Sequence, residues 1–274
     1  MGRRTSRQVG SRTGPGGPTY RVAMLTVPTR RSPGSARRWV SSGLVCLLLL
    51  GASGIPATAA TATTKSYVLD LGSRADFVAQ TNFVQCVGAS MQMMLNMIQP
   101  GSDRSAATQL RLQKLARDWS PQRPDGRERQ GASVRGWAAG LNLMGGGPYR
   151  IVGTTTLDEA LLVGARAMRK TGRPVGLLMW RGRHAWVMSG FRASGDPLVD
   201  GSQVTGVLVE DPLYPLGSSV WGPSPAPGAS LTPDELGQQF VPRRASSPWG
   251  MTSLSGKYVL VVPYTFDLQT QRRI

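Results

Sequence analysis

From residue 86 onward the sequence changes its hydrophobic period, and that change limits the folds open to it. Residues 86–99 place Val87, Met91, Met94, Leu95 and Ile98 on one helix face before Pro100-Gly101 stops the run. Residues 105–119 read as a second helix with Leu110, Leu112, Leu115 and Trp119 as its apolar points, and 133–143 as a third, ended by Gly145-Gly146-Gly147-Pro148. Beyond residue 173 the pattern turns to short apolar runs, 174–180, 184–192 and 204–211, with a last one at 257–264. One more helix separates the two zones. It opens with Thr156-Leu157-Asp158-Glu159, which reads as a capping box, and Gly172 supplies its stop. Residues 65–71 and 149–152 read as short extended pieces. Residues 212–231, with five prolines, read as an irregular excursion before a capped start at Thr232-Pro233-Asp234-Glu235. Helices first and strands after imply an α+β fold, with the helical N-terminal part packed against an antiparallel β-sheet.

The first 62 residues stand apart from this pattern. Residues 1–60 hold nine arginines and no acidic residue. An apolar stretch at 43–55, GLVCLLLLGASGI, follows Arg37-Arg38 and gives way to the small residues Pro56 to Ala62. Basic, apolar and small-residue sections in that order make a secretory signal peptide with a long basic region, to be cleaved after Ala59 or Ala62. The expected organisation is therefore a leader over 1–62 and one domain over 63–274. The protein is then secreted and touches a membrane only in transit, with an uncleaved anchor as the alternative. Of the formal net charge of +17, +8 remains for residues 61–274. Without aromatic–basic interleaving, that surplus does not point to nucleic acid.

After removal of such a leader, one cysteine and one histidine are left, Cys86 and His184. Structural zinc sites built from four N or S ligands are thereby excluded, and no metal or cofactor is expected. An odd cysteine in an exported chain calls for a use. Cys86 stands at a helix start, where a thiolate is favoured, and the small residues Gly88, Ala89 and Ser90 would let a substrate chain approach it. His184 opens a strand and is the sole imidazole available as a base. Asp211 shares a strand face with Val207 and Val209, while Glu210 faces the other way. Asp211 can orient His184 if the two strands are neighbours. Asp196 and Asp200, in the connecting loop, are weaker candidates. Gln80, six residues before Cys86, can supply an amide to an oxyanion. Arg181-Gly182-Arg183 reads as a solvated turn, with binding of a carboxylate-bearing substrate as the alternative. Trp180 and Trp186 read as core or cleft lining, and Met91, Met93, Met94 and Met97 as helix core.

The segments QTNFVQC, RGRHAWVMSGF and VLVEDP, with GRPVGLLMW before the histidine and a late KYVLVVPY, resemble papain-like cysteine peptidases. The nearest likeness is to the bacteriocin-leader-processing group (family thirty-nine) and its exported relatives, over about residues 66–264. The chain departs from that pattern in Cys86-Val87-Gly88 and in a longer His–Asp interval. The resemblance implies a papain-like fold and a thiol hydrolase acting on peptide or protein substrates. It makes Cys86 the nucleophile, His184 the base and acid, Asp211 the orienting group and Gln80 the oxyanion donor. A cell-wall peptide amidase and a non-enzymatic cell-surface binding protein on the same scaffold are the alternatives.

Overall fold

The computed structural model describes residues 66–99, 101–122, 125–245, 251–267 and 272–273; the leader expected over 1–62 lies outside them. The chain is α+β. The elements run β1 (Tyr67–Asp70), α1 (Cys86–Ile98), α2 (Ala106–Asp118), α3 (Val134–Leu143), β2 (Tyr149–Thr154), α4 (Leu157–Thr171), β3 (Val175–Met179), β4 (His184–Ala193) and β5 (Val204–Glu210). They continue with a short ribbon, β6 (Gly217–Ser218) and β7 (Gly222–Pro223), then β8 (Ala229–Leu231), α5 (Pro233–Gly237) and β9 (Tyr258–Pro263). Seven strands form one antiparallel sheet in the order β2-β9-β3-β4-β5-β8, with β1 continuing the β3 edge along the far half of β4.

Helices cover both faces of this sheet, the N-terminal ones packing against one of them. Ala185 and Val187 of β4 and Val259 and Val261 of β9 face α1, α2 and α3 through Met91, Met94, Leu112 and Trp137. The alternate residues Trp186, Met188 and Leu260 face α4 and α5 through Leu161, Met168 and Leu236. A strand buried on both faces loses its polar alternation, which is why VGLLM and HAWVMSGF read as continuous apolar runs. Each fully buried Met or Leu contributes about 1.5–3 kcal/mol through the area it removes from water. The methionines of α1 are core, as expected, with Met91, Met93 and Met94 fully buried.

Local signals set the element ends. Ser105, Ser133 and Thr156 each accept a hydrogen bond from a backbone amide in the first turn of α2, α3 and α4. Gly172 closes α4 with φ 63°, a left-handed cap that costs glycine little. The reciprocal box expected at Thr156 is only half made. The Glu159 carboxylate takes the amide of Thr155, not that of Thr156. At Thr232 the full box forms. The excursion after residue 211 holds β8, which the prolines and glycines around it had concealed.

The second helix departs most from its sequence pattern. Leu110 and Trp119 are about half exposed, whereas Gln109 and Gln113 are buried. The two glutamines lie four apart on one face and use their amides to hold other segments.

Candidate active site

Three elements converge at one end of the sheet. Cys86 is the first residue of α1, His184 the first of β4, and Asp211 follows the last residue of β5. Strands β4 and β5 are direct antiparallel neighbours, with Val187 opposite Glu210, so the start of one meets the end of the other. His184 Nε2 lies 2.6 Å from Asp211 Oδ1. Cys86 and His184 line the same cleft, and the Cys86 side chain is close enough to favour the charged ring. With Nε2 committed to Asp211, Nδ1 is the ring nitrogen left for a second partner.

His184 is 4% exposed and Asp211 fully buried. Asp211 Oδ1 also accepts the Leu213 amide at 2.8 Å, which fixes the carboxylate beside the ring. Its Oδ2 is buried with no hydrogen-bond partner among the described residues. Burial opposes a charge on the imidazole, but hydrogen bonds to Asp211 and Cys86, and the charges of both, outweigh it. The His184 pKa is pushed up to about 9. The ring stacks on Trp180, with centroids 4.1 Å apart and planes 23° from parallel. Trp180 is held in turn by Nε1–H donating to Gln239 Oε1 at 2.8 Å. Trp186, the other candidate, is core.

The approach to Cys86 is clamped from α2. Gln109 accepts from the Thr81 amide at 2.8 Å and donates to the Ala79 carbonyl at 2.9 Å. Gln113 accepts from the Gly88 amide at 2.8 Å and donates to the Val84 carbonyl at 2.9 Å. Thr81 further bonds Gln85, the residue before Cys86. These buried amides fix where Cys86 sits, and nothing in the apolar pattern of α2 announced them.

Gln80 joins the site through its backbone. Its amide donates to the carbonyl of Pro212, next to Asp211, at 2.7 Å. One hydrogen of its side-chain amide goes to the Asn82 carbonyl at 2.8 Å, and Oε1 is buried without a partner among the described residues. The small residues after Cys86 serve packing, not access as the sequence suggested. A Cβ on Gly88 would stand 2.7 Å from the Gln109 carbonyl, so α1 and α2 need hydrogen there. Ala89 and Ser90 are fully buried, and Ser90 Oγ donates to the Ala185 carbonyl at 3.2 Å. Asp196 and Asp200 are not in the cluster; they pair with Arg169 at 3.2 Å and Arg166 at 3.5 Å.

A cleft of about 290 Å³ opens over Cys86 and His184. Phe83, Val84, Val87, Ala132 and Leu178 supply its apolar lining, and Arg181, Arg183 and Arg244 its charge. The turn before His184 has three consecutive residues with positive φ: Trp180 at 56°, Arg181 at 57° and Gly182 at 95°. For the two non-glycine residues this costs of order 1–3 kcal/mol each. Hydrogen bonds hold the turn there, with the Trp180 amide donating to Gln239 and those of Gly182 and Arg183 to Met179. Among the described residues no group of three or more His, Cys, Asp and Glu side chains is placed to hold a metal ion.

Comparison of the chain with protein-family models and with curated proteins gave no match.

Proposed function

We propose that this chain is a papain-like cysteine peptidase, related to the bacteriocin-leader-processing group, that cleaves peptide bonds outside the cell through Cys86, His184 and Asp211. One observation carries the reading: a buried imidazole bonded to a buried carboxylate and set in one cleft with a helix-start cysteine, the three brought from three separate elements. A structural histidine needs no such pair of partners, whereas a nucleophile–base–orienter relay needs both.

The chemistry follows from these groups. His184 as imidazolium supplies the counter-charge for a Cys86 thiolate. The sulfur attacks the scissile carbonyl carbon, and the C=O electron pair moves to oxygen. The Cys86 amide, at a helix position with no intrahelical partner, faces that oxyanion together with the second hydrogen of the Gln80 amide. His184 gives its proton to the amine as the C–N bond breaks, leaving a thioester. It then takes a proton from the water that attacks the thioester, and the acid leaves as the thiol returns. Asp211, fixed by the Leu213 amide, accepts from Nε2 throughout and holds the ring in place. The leader pattern of residues 1–62 is what supports export.

The test is labelling of the chain by a thiol-alkylating peptide probe, combined with turnover of a peptide library. Cys86 should be labelled in the native chain, with labelling slowed by His184→Ala, and Cys86→Ala should turn over nothing. Full peptide turnover by Cys86→Ala would end the proposal. A muropeptide cleaved in preference to every linear peptide would replace it with the cell-wall amidase reading.

A further inference from the structure

Three guanidinium groups stand at the mouth of the cleft over Cys86 and His184. Arg181 and Arg183 come from the turn before β4, and Arg244 from a loop some sixty residues later. All three are exposed, and none has an ion pair or a side-chain hydrogen bond among the described residues. No acidic residue is among those lining the cleft. On α4 the opposite holds, since Arg166 and Arg169 both face aspartates.

The convergence is built into the backbone. The Arg244 amide donates to the Arg181 carbonyl at 3.3 Å, which ties the two loops together where their side chains enter the cleft. Beneath them, Arg243 is buried, donates to the Met251 carbonyl at 2.9 Å, and packs so closely under Gly182 that a Cβ there would lie 3.1 Å from its Cγ. Arg181 itself occupies a left-handed position with φ 57°, where glycine or asparagine would be less strained. A solvated turn accounts for exposure. It does not account for a strained arginine joined to a second loop that delivers another.

We propose that Arg181, Arg183 and Arg244 form a carboxylate-recognition rim, so that the cleft takes peptides bearing an acidic group beside the bond held over Cys86. The proposal rests on the peptidase reading and names its substrate class. Guanidinium forks match carboxylates with paired hydrogen bonds, and the apolar lining of Val87, Ala132 and Leu178 lowers the competition from water. The carboxylate can belong to an Asp or Glu side chain or to the end of a peptide.

The experiment reads binding and turnover separately. Fluorescein-labelled peptides with an apolar centre carry Glu or Gln on each side, each made as the free acid and as the amide. Binding is measured on the full chain with Cys86→Ala. Acidic peptides should bind about tenfold more tightly than their neutral counterparts at low salt. The advantage should shrink at about 0.5 M salt. It should vanish in the Arg181→Gln/Arg183→Gln/Arg244→Gln variant and persist in Arg192→Gln, at the far end of β4. The Glu/Gln and acid/amide pairs tell which carboxylate is read. Equal or absent binding of acidic and neutral peptides overturns the proposal, as does a preference that survives the triple variant. Carboxylate-selective binding with no turnover of any peptide by the Cys86-containing chain keeps the rim and ends the peptidase reading instead.

Discussion

Replacing Asp211 by asparagine should release the His184 proton. The sequence contains a single histidine, so its ring signals in a nuclear magnetic resonance titration need no assignment. With the carboxylate in place the imidazole titrates at about 9 instead of 6.5. The difference corresponds to roughly 3 kcal/mol in favour of the charged ring. Burial works against that charge, and the hydrogen bond to Asp211 is the largest influence opposing it, ahead of the bond and charge of Cys86. Asparagine keeps an oxygen for the ring and for the Leu213 amide, so the geometry survives while the charge is lost. The His184 titration should therefore move down by a unit or more in Asp211→Asn, and also move down in Cys86→Ala. The linked stability has a definite sign. A group whose pKa rises on folding stabilises fully below its unfolded value and stops doing so as pH passes its folded value. Wild-type unfolding free energy should thus lose up to roughly 3 kcal/mol from this group between pH 6.5 and 9, and Asp211→Asn should show a flatter curve. A wild-type ring titrating at 6.5, or an Asp211→Asn ring still titrating near 9, would refute the electrostatic account of the site.

Gln80→Ala should leave Cys86 open to alkylation but lower kcat/KM by the equivalent of about 3 kcal/mol, as loss of one oxyanion donor does; unchanged turnover would remove Gln80 from the site. Burial, reinforced by Asp70 and Asp76, pushes the Glu210 carboxyl up to about 7 from 4.5. Its contribution to stability is present below pH 4.5 and lost as pH rises through 7. Glu210→Gln should therefore stabilise at pH 8, by up to about 3 kcal/mol, and not at pH 4.5, with denaturant unfolding at the two pH values as the check. Gly136→Ala should destabilise by 1–3 kcal/mol or more despite the better helix former, roughly the cost of overpacking, because the new Cβ would lie 1.8 Å from the Ala116 carbonyl of α2; an unchanged melting temperature would mean that the two helices do not meet so closely. Amino-terminal sequencing of exported protein should find a start at Ala60 or Thr63; an intact leader on soluble protein would refute cleavage.

Much of the secondary structure was legible because its signals are local. Ser105, Ser133 and Thr156 cap helices whichever way the chain folds, and Gly172 stops one because a left-handed residue is needed there. The strand start at His184 followed from a short apolar run after turn residues, and the run read over 204–211 overshot the end of β5 at Glu210 by one residue. Burial was less legible wherever polar side chains do the holding. Leu110 and Trp119 matched a helix stripe, yet α2 turns Gln109 and Gln113 inward, because their amides meet backbone groups of the loop before Cys86. No periodicity reports a partner that distant in sequence.

The sequence by itself determined the inventory of the site: one histidine and, in the described domain, one cysteine leave a single possible thiol–imidazole pair, and strand alternation turned Asp211 rather than Glu210 toward the face carrying Val207 and Val209. The tertiary structure alone decided that these groups meet, since only the antiparallel pairing of β4 with β5, and the seating of α1 against β4, brings residues 86, 184 and 211 to one end of the sheet. It also decided the charge of the cleft. Arg181 and Arg183 are visible as neighbours in any reading of the chain, but Arg244 joins them only through a backbone hydrogen bond between loops remote in sequence. Local rules act over a turn or two of chain, whereas a cluster such as Cys86, His184 and Asp211 requires side chains from distant segments to share a few ångströms, and packing is what sets those distances.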